Sequence, residues 1–256
     1  MGRNYQSMNN LVSIITPSYN STKFIKECID SVLAQTYQEW EMLIVDDCSK
    51  DDSVEYIQSL IANEPRIKLM PLDKNVGAAM ARNRAIEEAQ GRYIAFLDSD
   101  DIWLPNKLEV QLSFMKEHNY PFTFSAYNSI SEDGSEEFKT INVPQSLTYN
   151  QYLADTIIGC LTVIIDKEQT GDFRMPNIRS SHDMALWLDI LKRGFKAYGL
   201  NENLAKYRLV SNSNTAKKYK AIKEVWDVYR NIEHFGIIKS AYYWIQYLYH
   251  AIKKRL

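Results

Sequence analysis

Residues Tyr93–Leu97, Y-I-A-F-L, form a short and wholly apolar run that stops abruptly at three carboxylates, Asp98, Asp100 and Asp101. A run of that length, apolar at odd and even positions alike, suits a strand buried on both faces. Leu11–Thr16 and Trp40–Val45 read as further buried strands, and Ile67–Pro71 as a short third one. Helical periodicity fills the gaps between them. Phe24, Cys28 and Val32 recur every four residues, as do Ile25, Ile29 and Leu33. The segments 53–63 and 78–89 read as two more helices, the second stopped by Gly91. Strands alternating with helices across short loops predict an α/β fold, a mostly parallel, Rossmann-like sheet with helices on both faces.

In such a sheet ligands bind beyond the carboxyl ends of the strands. Three strands here end in polar or acidic loops, Pro17–Asn20, Asp46–Asp47 and Asp98–Asp101. If the strands are parallel, these loops share one edge. In a strand, residues i and i+2 share a face, so Asp98 and Asp100 are expected to point one way and Ser99 the other. Two carboxylates side by side repel unless a cation joins them, and oxygen-only ligands suit Mg²⁺ or Mn²⁺. The alternative is a solvated acidic turn that caps the helix beginning near Pro105.

That helix is expected to run to about His118, followed by a strand over Phe122–Ile130. The polar stretch 132–148 reads as a loop or short hairpin. Leu161–Ile165 reads as a strand, and Ser180 and Ser181 as caps of a helix whose stripe is Met184, Trp187, Leu188 and Leu191. Lys196–Leu200 and Ala205–Arg208 are expected to be short extended pieces, and two helices, about 215–235 and 239–255, close the chain.

Composition narrows the class. With 45% hydrophobic and 24% charged residues, the 256-residue chain has the make-up of a globular protein and not of a disordered one. Its net charge of −2 hides an asymmetry. From Asn214 onward nine Lys and Arg face three acids, a net +6, which leaves −8 on the rest. An anionic surface is the partner this split suggests, and no nucleic acid is expected. Three widely spaced cysteines give neither a disulfide framework nor a zinc pattern, consistent with a reducing, cytoplasmic setting. The first ten residues lack the apolar core of a signal peptide, and no apolar run reaches the ~18–20 residues that span a bilayer.

Five blocks in order, V-S-I-I-T-P-S-Y-N, I-V-D-D-C-S-K-D-D-S, N-V-G-A-A-M-A-R-N, F-L-D-S-D-D and S-H-D-M-A-L-W, resemble the family 2 glycosyltransferases, inverting enzymes with the GT-A fold. The resemblance covers roughly residues 11–213. It implies a nucleotide-binding half to about 104, an acceptor-binding half from about 105 to 213, a short tail over 1–10 and a helical extension over 214–256. It also implies a nucleotide-sugar donor, UDP-linked, and a glycan or lipid-linked oligosaccharide acceptor in capsule or O-antigen synthesis. By the same resemblance Pro17, Tyr19 and Asn20 meet the donor, with Tyr19 stacking on its base. Asp46 and Asp47 read the base edge. Lys74, Gly77 and Arg82 lie near phosphate, with Arg82 equally placed to pair with an acid of the protein. Asp98 touches the ribose or the metal shell beside Ser99, Asp100 binds Mn²⁺ or Mg²⁺, and Asp183 is the catalytic base. Many relatives have Glu-Asp where this chain has His182-Asp183, and Y-R-L-V-S-N-S-N-T resembles the family's closing Tyr-Arg block, with Val210 where many have His. Gln-x-x-Arg-Trp, the mark of processive synthases, is absent, so transfer of a single sugar is expected.

The rivals are a catalytically inactive module that keeps the fold and a phosphoacceptor receiver domain. The receiver would be about half this length and would have no use for Tyr19 or Asp183. The last helix, with Tyr242, Tyr243, Trp244, Tyr247 and Tyr249 ahead of Lys253, Lys254 and Arg255, has three candidate partners. They are the membrane surface, the catalytic domain and a second subunit in a homodimer.

Overall fold

The computed structural model describes residues 10–210 and 218–253. The N-terminal tail before Asn10, the S-N-S-N-T that ends the Tyr-Arg block, the expected helix start at Thr215 and the basic Lys254–Arg255 lie outside the described residues. The first half alternates as expected: β1 (Val12–Ser18), α1 (Ile25–Leu33), β2 (Trp40–Asp46), α2 (Ser53–Ile61), β3 (Ile67–Pro71), α3 (Ala78–Glu88) and β4 (Tyr93–Phe96). These four strands lie parallel in the order β3-β2-β1-β4.

The second half comprises β5 (Ile102–Trp103), α4 (Lys107–His118), β6 (Phe122–Ile130), β7 (Glu137–Ile141), β8 (Ser146–Leu147), α5 (Tyr149–Ala154), β9 (Val163–Asp166), α6 (Lys167–Thr170), α7 (His182–Lys192) and β10 (Ala197–Arg208). It extends the same sheet. β9 is antiparallel to both β4 and β6, β6 is parallel to β10, and β5 closes the path antiparallel to β10. The chain continues in α8 (Lys218–Asp227), a π-helical stretch over Val228–Ile232, and α9 (Ile237–Lys253).

Alternation along each central strand sorts the core into two layers. Val12, Ile14, Met42, Ile44, Tyr93 and Ala95 face one layer, packed by α1, α2 and α4. Ile15, Leu43, Val45, Ile94 and Phe96 face the other, packed by α3, α5 and α7. Trp187 of α7 is fully buried and meets Phe96 edge-on, with ring centroids 5.4 Å apart.

Several local expectations are corrected. Strand β1 does not stop before Pro17 but runs through it to Ser18. The carbonyl of Ile15 accepts from Leu97 N–H, so Ile15 and Pro17 both turn their backbone toward β4. Strand β4 ends at Phe96, and the missing N–H of Pro17 costs no ladder bond there. Of the two readings of 132–148, loop or short hairpin, the hairpin holds, with β7 antiparallel to β6 and followed by the short β8. The two extended pieces at 196–208 are one strand, β10, whose register against β6 shifts twice. Ser181 precedes α7 with φ of 55° and makes no side-chain cap. Helix α9 packs inward through Tyr243, Trp244 and Tyr247, while Ile238, Tyr242, Ile245 and Tyr249 are exposed.

Gly199 of β10 packs so closely on the Pro144 carbonyl that an added Cβ would lie 2.0 Å from its oxygen. Backbone must move to admit a methyl group. Gly199→Ala should therefore lower stability by about 1–3 kcal/mol, read as a drop in the urea midpoint at constant slope.

Candidate active site

The loops after β1, β2 and β3 are tied together at the carboxyl edge of the sheet. Asn20, at φ 49°, donates its N–H to Ser49 Oγ at 2.9 Å and accepts Lys50 N–H on Oδ1 at 2.8 Å. Asp46 is buried and accepts from Ser49 N–H at 2.9 Å and Ser49 Oγ at 2.5 Å. Asp47 is also buried, and its two oxygens accept the Val76 and Gly77 amides at 2.7 and 2.8 Å. The carboxylate of Asp47 thus fixes the loop that opens α3. Gly77 is the residue before that helix, at φ 88° and ψ 155°, a conformation that side chains rarely adopt. Nothing lies within 4 Å of an added Cβ there, so the backbone angle and not crowding calls for glycine. Tyr19 is 48% exposed above these loops, and Lys74 is exposed.

Asp98, Ser99, Asp100 and Asp101 follow the end of β4 as a turn, closed by Asp101 N–H donating to the Asp98 carbonyl at 3.1 Å. The i, i+2 alternation of a strand therefore does not set the directions of Asp98 and Asp100. Two buried arginines do the positioning. Arg82 of α3 donates Nη2 to Asp98 Oδ1 in a close ion pair. Arg208, at the end of β10, sends its N–H to Asp101 Oδ1 and its Nε to the Asp100 carbonyl, both at 2.9 Å. Its Nη1 and Nη2 reach the Glu132 carbonyl and Glu27 Oε2, both at 2.8 Å.

Arg82 also donates Nη1 to His182 Nε2 at 2.6 Å. A guanidinium only donates, so Nε2 accepts and the ring proton sits on Nδ1. Burial, then the Arg82 charge, push His182 below its ordinary range, in keeping with a neutral ring. Burial alone would lower Arg82, yet Asp98, with Asp183 behind it, holds the guanidinium above its usual value. Asp183 lies in the first turn of α7. Arg82, Asp98, His182 and Asp183 line one cavity of about 440 Å³, with Arg179 and Cys160 in its wall and Ala221 and Glu224 contributed by α8.

Of the predicted site residues, the structure thus gathers Arg82, Asp98 and Asp183 in one cavity. Asn20, Asp47 and Gly77 belong to the adjoining set of linked loops, with Pro17 and Asp46 at the ends of β1 and β2. Arg208 and the His182 link to Arg82 had no spacing signal, because their partners are about a hundred residues away in the chain. The Tyr-Arg block held the only hint of Arg208.

Among the described residues no three His, Cys, Asp or Glu side chains form a ready-made metal cluster. The acidic turn nonetheless fits a divalent cation by its chemistry. Burial, with the Asp98 carboxylate beside it, pushes Asp100 up to about 6, and Asp101 rises for the same reasons. A hard cation relieves that repulsion, and Mg²⁺ or Mn²⁺ commonly takes one or two carboxylates together with substrate phosphates.

The Glycosyl transferase family 2 model matches residues 13–174. TuaG, a Bacillus subtilis glycosyltransferase assigned to teichuronic acid biosynthesis, is 52% identical over 246 residues, covering 96% of this chain and 98% of TuaG. WfgD of Escherichia coli, a UDP-Glc:α-D-GlcNAc-diphosphoundecaprenol β-1,3-glucosyltransferase, is 42% identical over 245 residues, covering 95% of this chain and 94% of WfgD. Among solved structures, S. aureus TarS 1-349 with UDP-GlcNAc is similar at a TM-score of 0.69 and 21% identity, over 86% of this chain and 66% of that one. The mannosyltransferase PcManGT of Pyrobaculum calidifontis, with GDP-Man and Mn²⁺, matches at 0.69 and 17% identity, over 88% of this chain and 64% of that one. At such identities the two structures establish the shared fold alone.

The raised Asp100 sets a pH dependence. The folded state holds its proton more tightly than the unfolded chain, so metal-free protein loses stability as pH rises from 3.8 through about 6. The contribution is about 3 kcal/mol at most. Urea midpoints across that window should fall in the wild type and fall less in Asp100→Asn. Equal slopes would overturn this account of the turn.

Proposed function

The chain belongs to glycosyl transferase family 2, and we propose that it moves one sugar from a UDP-linked donor to a hydroxyl of a lipid-linked oligosaccharide, with inversion, in cell-surface polysaccharide assembly. The observation that carries the reading is the convergence of Arg82, Asp98 and Asp183 on one cavity beyond the carboxyl ends of the parallel strands. The donor and acceptor classes draw support from the names of TuaG and WfgD, which match nearly the whole chain.

The donor's base is placed on Tyr19, whose exposed ring offers an open face. Asp47 keeps lone pairs for a base N–H while holding the Val76 and Gly77 amides. The ribose lies at Asp98, which Arg82 orients. Asp100, with Asp98 beside it, would hold Mn²⁺ or Mg²⁺, which neutralises charge on the departing diphosphate. Asp183 removes the proton of the acceptor hydroxyl as that oxygen bonds to the anomeric carbon, and the nucleotide diphosphate departs from the opposite face with the bonding electrons. One carboxylate is enough, because a single displacement needs no enzyme nucleophile. His182, neutral and bound to Arg82, adds no negative charge of its own beside Asp183.

Asp183→Asn should retain UDP binding and lower transfer by about 10²-fold or more, measured with a panel of UDP-sugars and a polyprenyl-diphosphate-linked acceptor. Transfer at the wild-type rate would place the base elsewhere, and absence of any transfer by the wild type across the panel would favour an inactive module. Asp100→Ala should abolish the Mn²⁺-dependent part of UDP affinity in calorimetry. An unchanged affinity in Mn²⁺ would remove Asp100 from the metal site.

A further inference from the structure

Helix α9 presents two faces of different fate. Ser240, Tyr243, Trp244 and Tyr247 turn inward. Tyr243 OH donates to Asn150 Oδ1 at 3.0 Å, and Trp244 Nε1 donates to the Ile222 carbonyl at 3.1 Å. The opposite face carries Ile238, Tyr242, Ile245 and Tyr249, spaced by four, three and four residues, and each is more than 60% exposed. That spacing is one continuous stripe along the helix. At its head, Ile237, Ile238 and Tyr242 border an open, almost wholly apolar hollow of about 860 Å³. A stripe of this size left in water on a folded domain marks an interaction surface.

Charge and residue type select the partner. The 17 residues of α9 contain Lys239 and Lys253 and no Asp or Glu, and Lys254 and Arg255 follow in the sequence. Lys239 sits at the rim of the stripe with Nζ 3.8 Å from the Phe235 ring centroid. Isoleucine and tyrosine flanked by lysine is the make-up of a helix lying in a bilayer interface, apolar side toward the acyl chains and cations among anionic headgroups. A second copy fits worse. Antiparallel pairing of two such stripes brings the Lys239 end of one against the Lys253 end of the other, and parallel pairing sets like residues together. Neither arrangement supplies an acid.

We propose that the Ile238–Tyr242–Ile245–Tyr249 face of α9 docks this protein on an anionic membrane surface. The helix is joined to the catalytic cavity. Trp226 of α8 meets Trp244 of α9 edge-on at 5.8 Å, and Ala221 and Glu224 of α8 line the cavity that holds Asp98 and Asp183. A bilayer beneath α9 therefore lies next to the wall of the site. An acceptor sugar could enter while its lipid stays in the membrane. The orientation relative to an acceptor rests on the proposed function. The docking surface itself does not.

The test is co-sedimentation of the full chain with vesicles of pure phosphatidylcholine and with vesicles of phosphatidylcholine mixed equally with phosphatidylglycerol. Binding is expected to the mixed vesicles, to weaken as salt rises, and to fall at least tenfold in the triple variant Ile238→Ser, Tyr242→Ser, Ile245→Ser. All three side chains are exposed, so circular dichroism and Mn²⁺-dependent UDP affinity should match the wild type. Wild-type protein that stays in the supernatant, or a triple variant that sediments equally, overturns the proposal. So does a vesicle-free dimer in sedimentation velocity that the triple variant dissolves, which would assign the face to a second copy. Failure of UDP binding in the wild type would instead count against the proposed function and leave the vesicle result standing.

Discussion

Three carboxylates within one four-residue turn repel each other, and the Asp98–Asp101 turn keeps its shape because two buried guanidinium groups hold it from different sides. Two unit charges about 4 Å apart interact by about 4 kcal/mol at the effective dielectric of a protein edge, so unbalanced repulsion of this kind would open the turn. Arg82 reaches in from α3 to the Asp98 carboxylate, while Arg208 on β10 gives its guanidinium to the Asp100 carbonyl, the Glu132 carbonyl and Glu27, and its backbone N–H to the Asp101 carboxylate. Asp100 is the member whose side chain neither arginine bonds. It stays pushed up by burial and by Asp98, which suits it to meet a cation that arrives with its ligand.

The loops at the carboxyl edge of the sheet are held in the same way. Asp47 accepts the amides of Val76 and Gly77, one on each oxygen, and Asn20 bonds both ways with Ser49 and Lys50. The loops after β1, β2 and β3 are thus one hydrogen-bonded unit before any nucleotide enters. Such prior ordering lowers the entropy lost on binding. His182 extends the order to α7. By accepting from Arg82 it links α3 to the first turn of α7, where Asp183 sits. An acid at that position would pair with Arg82 through charge, whereas a neutral imidazole holds the same contact and leaves the Arg82 charge to Asp98.

Helices α8 and α9 join the cavity of Asp98 and Asp183 to the outer surface. The inner face of α9 is fixed by aromatic packing and two side-chain hydrogen bonds. Packing on the catalytic domain and contact with a membrane are therefore not rival roles for this helix, because they use opposite faces.

The sequence by itself determined the layered α/β architecture and the edge at which the site lies. Wholly apolar runs such as Tyr93–Leu97 are stable only between two helical layers, and parallel pairing then places every loop that follows them on one side. Strand β3 and strand β6 match the segments read from the sequence residue for residue, because burial on the sheet leaves a local record in side-chain type. The strand-based geometry of Asp98 and Asp100 failed, since β4 ends before them and tertiary contacts from Arg82 and Arg208 set the turn. The hairpin at 137–141 and the bend of β10 left little trace, because polar edge segments are fixed by the partner strand and not by their own pattern. Only the tertiary structure brought Arg82 to His182 and Arg208 to the acidic turn, and only it divided α9 into a packed and an exposed face. Contacts between residues a hundred positions apart depend on how the whole sheet closes, and no local spacing records that.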